Sequence, residues 1–143
     1  MFSQNRDQLR QFYCEVWRKH GAGLALEPLE GHIRDVILLH PEYHALLERP
    51  EQAVGRDYLP EFGETNPFLH MGLHLAIHEQ LGTDRPAGIR ALAQQLRLRY
   101  PDAHTLEHRM MDCLAEMLWR SQRDATAPNE ADYLNCLRRH VSV

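Results

Sequence analysis

The chain has 143 residues, 43% hydrophobic and 25% charged, an ordinary profile for one globular domain and long enough to bury a core without disulfide or metal staples. Sixteen Lys and Arg against twenty Asp and Glu give a net charge of −4, so the basic footprint of a nucleic-acid binder is missing. No apolar run approaches the ~18 residues of a membrane helix, and the first eight residues carry no apolar signal core, which argues against a secreted precursor and for the cytoplasm.

Helical periodicity runs through the whole chain, and no strand-length alternation competes with it. Leu9, Phe12, Tyr13, Val16 and Trp17 predict a helix over 3–19, stopped by His20-Gly21-Ala22-Gly23. A second helix is predicted over 28–39. Pro41 should kink it or start a new helix at its first turn, and the continuation through Glu48 ends before Pro50. Residues 50–65 read as a loop. Asn66-Pro67 is a start signal, with Asn66 as cap and Pro67 in the first position.

The helix over 67–81 is apolar nearly all round, which predicts burial, and Gly82 is its expected stop. Thr83-Asp84-Arg85-Pro86 opens the next helix, through about Arg99. The one after it covers 102–123, with Met111, Leu114, Ala115, Leu118 and Trp119 on one face. Pro128 starts a last helix, ending near His140. Together these predict a single all-α domain, residues 1–143, a bundle of five to seven helices with 67–81 at its centre.

Cys14, Cys113 and Cys136 are odd in number and no two form C-x-x-C. A disulfide is therefore not expected, a reducing compartment fits, and the three read as small buried hydrophobes. Cys113 falls on the helix face opposite His104, which argues against a Cys–His nucleophile. Met110, Met111 and Met117 read as core filler, and Arg90, Arg97, Arg99, Arg109 and Arg123 as solvated helix faces. Phosphate-cradling and nucleophile-elbow motifs are absent, so no nucleotide or flavin is expected.

The ten histidines carry the most information. Four pairs lie four residues apart: His40/His44, His70/His74, His74/His78 and His104/His108. Random placement would give about one or fewer. Residues at this spacing share a helix face one turn apart, where two imidazoles can hold one ion. His70 and His74 fall beside Leu73, Ile77 and Leu81. His104 and His108 fall beside Met111, with Glu107 and Asp112 flanking them.

The expected metal set is thus His70, His74, His104 and His108, then His40 and His44. Glu107 and Asp112 would ligate or orient the imidazoles, with Glu79, Glu116 and Glu64 as further carboxylates. Neutral imidazole and carboxylate suit a divalent ion, zinc or iron. His78 reads as a repeat on a face already used, and His20, His32 and His140 as caps or surface. The competing reading is a non-catalytic interaction module, with a protein partner or a second copy on an outer face. In that reading the histidines and carboxylates form a purely structural network.

Phe62-Gly63-Glu64-Thr65-Asn66-Pro67-Phe68-Leu69-His70, continuing through His74, Glu79-Gln80 and Asp84-Arg85-Pro86-Ala87-Gly88-Ile89, resembles a family of small proteobacterial proteins. So do His40-Pro41-Glu42-Tyr43-His44 and the stretch from His104 to Leu114. The family is the domain of unknown function numbered 1841, and the resemblance covers roughly residues 3–140. It implies a stand-alone cytoplasmic protein of similar size and transfers no catalytic residue. The site logic is also similar to that of hemerythrin-like bundles, although the ligand order does not match and oxygen carriage is not implied.

Overall fold

The first helix, α1 (Phe2–Gly21), carries Tyr13, Cys14 and Val16 on its buried side. It ends as expected, with Gly23 in the left-handed region. In α2 (Pro28–Leu38), Ile33, Val36 and Ile37 are buried. A 3-10 turn (Pro41–Tyr43) and the short α3 (His44–Leu47) follow, because Pro41 lacks the N–H that would continue α2. These elements come from a computed structural model, which describes residues 2–58 and 66–142. Its contacts divide the chain into two compact units, Met1–Gly72 and Leu73–Val143.

In the first unit, α1 packs on α2, α3 and α4 (Pro50–Ala53). The helical turn α4 corrects the reading of residues 50–65 as loop: Pro50 occupies a first helical position, and Ala53 is fully buried. Arg10 explains how the segment is held. The residue is 4% exposed, and Nη1 donates to the carbonyls of Val54 (2.9 Å) and Arg56 (2.6 Å). It also lies over the rings of Tyr58 and Phe68. Glu64 and the rest of 59–65 lie outside the described residues.

Glu30 is another buried charge of this unit. Its carboxylate accepts from Lys19 Nζ (2.8 Å) and from the Glu27 backbone N–H (2.9 Å) at the start of α2. Those two donors, Lys19 foremost, hold its pKa below the ordinary 4.5. The pair therefore stabilises the fold above pH 4.5, and that contribution is lost as pH falls through the lowered folded value. Glu30→Gln is expected to destabilise the chain at pH 7 and to lose this penalty in acid. Chemical denaturation of both proteins at pH 7 and pH 3 checks it, and an equal gap at both would refute the assignment.

The helix α5 (Pro67–Thr83) begins where Asn66-Pro67 predicts it, with Asn66 Oδ1 accepting from the N–H groups of Phe68 (3.0 Å) and Leu69 (3.1 Å). Its burial is a stripe rather than all round. Phe68, Met71, His74 and Ile77 are buried, whereas Leu69 is 60% exposed. Nor does α5 stop at Gly82. It runs to Thr83, and Asp84 takes the left-handed conformation (φ 52°). Arg90 sets this end: its Nε donates to the Leu81 carbonyl (2.7 Å) and Nη2 to Gly82 (2.6 Å), while its own N–H donates to Asp84 Oδ1 (3.0 Å).

The second unit packs α6 (Ile89–Arg99), α7 (Ala103–Asp124) and α8 (Glu130–Ser142) on one another. Ile77, Ile89, Leu96, Leu106, Met110 and Leu137 lie at the heart of its core. The α6 helix starts later than expected, after a cis Arg85–Pro86 bond and Gly88. Asp102 caps α7 as expected, accepting from Thr105 N–H (2.9 Å). The buried face of α7 is Leu106, Met110, Met111, Cys113 and Leu114. Ala115, Leu118 and Trp119, expected beside them, are exposed, so the apolar stripe ends one turn earlier than predicted.

Every regular element among the described residues is helical, with eight α-helices where five to seven were expected; α4 supplies the difference. None of these helices is long and apolar enough to cross a membrane.

One expectation fails outright. Cys113 and Cys136 form a disulfide between α7 and α8, with Cα atoms 5.7 Å apart. The odd count concealed it, because the leftover thiol is Cys14, on α1 in the first unit. Cys14 does match the buried-hydrophobe reading: it is 3% exposed, and burial pushes its thiol up to about 11.

Candidate metal centre

The Asp102 cap fixes the first turn of α7 and so the register of His104 and His108. With Glu107 and Met111 they stand at i, i+3, i+4 and i+7, one continuous face. The two imidazole centroids are 4.3 Å apart. From α5, His74 enters this group fully buried, its ring centre 5.2 Å from those of both His104 and His108. Each of the three rings offers a nitrogen within 4.8 Å of those of the other two.

Glu107 supports the cluster from below. Its Oε1 accepts from His74 Nδ1 (2.9 Å) and from His78 Nε2 (2.7 Å). The carboxylate is 16% exposed. Burial alone would raise its pKa, but the two imidazole donors outweigh that and bring it down to about 2. The unit therefore keeps a buried negative charge beside three aromatic nitrogen bases. Gln80, one turn-half beyond His78 on α5, accepts from Tyr133 O–H (2.6 Å), which ties α8 to the same helix.

The remaining histidines expected at a metal site belong to the first unit. His40 is 1% exposed and donates through Nδ1 to the Val36 carbonyl (2.8 Å). His44 Nε2 donates to the Ile37 carbonyl (2.8 Å), and its ring lies 4.2 Å from that of Trp17. Both imidazoles thus serve the last carbonyls of α2, a C-capping role their shared spacing did not reveal. His70 belongs to the first unit, edge-on to His40 (5.0 Å) and near Tyr43 (6.3 Å). Asp112 is exposed and pairs with Arg109 (3.4 Å).

His78 is the residue sequence reasoning set aside. The signal was present, since it repeats the four-residue spacing from His74 and so can reach the same carboxylate.

The molecule is thus an all-helical protein whose second unit encloses a buried histidine–carboxylate cluster. The chain belongs to the family described as Domain of unknown function (DUF1841), whose model matches residues 5–139, nearly its whole length. No curated protein and no solved structure matches it.

Proposed function

We propose that this protein binds one divalent metal ion, zinc or iron, through His74, His104 and His108. The observation that carries the reading is the meeting of three imidazoles from two helices within 4.8 Å, on a scaffold fixed by core packing. Glu107 orients His74 in the manner of a carboxylate behind a metal-bound imidazole, fixing its tautomer and raising its basicity. Neutral imidazoles with a carboxylate behind one of them are a donor set that both zinc and iron(II) accept.

A second reading has its own support. Glu107 accepts from both His74 and His78, so the same groups can stand as a structural network on which a protein-interaction module is built. Elemental analysis of untagged protein with the Cys113–Cys136 disulfide intact separates the two. One equivalent of metal, lost in His104→Ala with helical content unchanged, is expected. Metal-free protein that takes up neither zinc nor iron(II) in equilibrium dialysis would establish the network reading instead.

A further inference from the structure

The cross-linked end of the second unit carries a different donor set. On α7, Cys113 and Glu116 are three residues apart. On α8, Cys136 and His140 are four apart. Each helix therefore turns two donors to the same side, one turn apart. The two sulfurs and an imidazole nitrogen of His140 all lie within 4.8 Å of one another. Glu116 Oε2 lies 3.7 Å from the Cys136 sulfur, while its Oε1 accepts from Arg120 (2.7 Å).

Cys113 and Cys136 are 1% and 7% exposed. A cavity of about 10 Å³, bordered by Cys113, Glu116 and Cys136, lies beside them. Two thiolates on a tetrahedral zinc ion stand ~3.8 Å apart, so the two sulfurs must separate on reduction before both can bind the ion.

We infer that Cys113, Cys136, His140 and Glu116 form a zinc site in the reduced protein, exchanging with the disulfide of the oxidised one. Two molecules of a small thiol reduce the Cys113–Cys136 bond. They leave as their own disulfide, and their two protons pass to the cysteine sulfurs. Zinc then displaces those protons and forms two Zn–S bonds, with His140 nitrogen and Glu116 oxygen completing four-coordination. Oxidation reverses this. A two-electron acceptor such as a peroxide takes the electrons of the two thiolates, the S–S bond re-forms and the ion leaves. The α7–α8 contact is thus pinned in both states, by a covalent bond or by a metal.

Cobalt(II) titration of the full chain tests it, because thiolate ligation gives a near-ultraviolet charge-transfer band that an all-histidine site lacks. The band is expected after reduction with a phosphine, saturating by two equivalents in the wild type, where the histidine site also takes cobalt, and not in the oxidised protein. It should persist in Cys14→Ser and His74→Ala, vanish in Cys136→Ser, and need at least ~10-fold more cobalt in His140→Ala. A reduced wild-type chain without the band would overturn the inference, as would a band that survives Cys136→Ser. The comparison of oxidised and reduced wild type stands even if a variant fails to fold. Failure here leaves the histidine site untouched, since that site gives no such band.

Discussion

Zinc added in excess to the oxidised, metal-free chain is expected to raise its melting temperature by about 5–10 °C. An ion that binds only the folded state stabilises it by about 2.7 kcal/mol at a concentration 100 times its Kd. For a chain of this size each kcal/mol moves the midpoint by about 2–4 °C. The oxidised form is the right one to measure, because Cys113 and Cys136 are then bonded to each other and only imidazole and carboxylate remain as ligands.

The difference between zinc-loaded and zinc-free midpoints should vanish in His74→Ala, His104→Ala and His108→Ala. Using that difference matters most for His74, whose full burial means its loss also weakens the metal-free fold. Glu107→Gln keeps a carbonyl acceptor for His74 but removes the charge, so affinity should fall about 10–100-fold. Asp112→Ala, on an exposed carboxylate paired with Arg109, should change nothing. An equal zinc shift in wild type and His74→Ala would remove the site.

The second large effect belongs to the cross-link. The disulfide closes a loop across 23 residues of sequence separation, so it withholds chain entropy from the unfolded state worth about 3 kcal/mol. Replacing both cysteines with serine should lower the melting temperature by about 6–12 °C. Reducing the wild-type chain without zinc should do the same. A reductant that leaves the midpoint in place would mean that α7 and α8 need no staple.

What could be read from sequence was local. Asn66-Pro67 and Asp102 mark helix starts because a cap and the N–H groups it satisfies lie within three residues of each other. Gly82 misled because the carbonyls of Leu81 and Gly82 are satisfied by Arg90, a side chain from the next helix that no local rule anticipates. His74, His104 and His108 come together because α5 and α7 bring their rings within 5.2 Å in the second unit. His40 and His44 have the same spacing as His104 and His108, yet they lie where α2 ends, and each sets one ring nitrogen on a carbonyl of its last turn. Periodicity tells which residues share a face; it does not tell what faces them. The cysteine pair shows this most plainly, since its partners are set by the packing of α8 on α7 and by nothing in their spacing.

The grip of Arg90 on the end of α5 also bears on motion. Two bonds from its guanidinium and one from its backbone close the turn 84–90 into a ring. A ring of this kind does not swing as a tether does. Two of these bonds join α6 to the last carbonyls of α5, so a rotation of one helix against the other must break both.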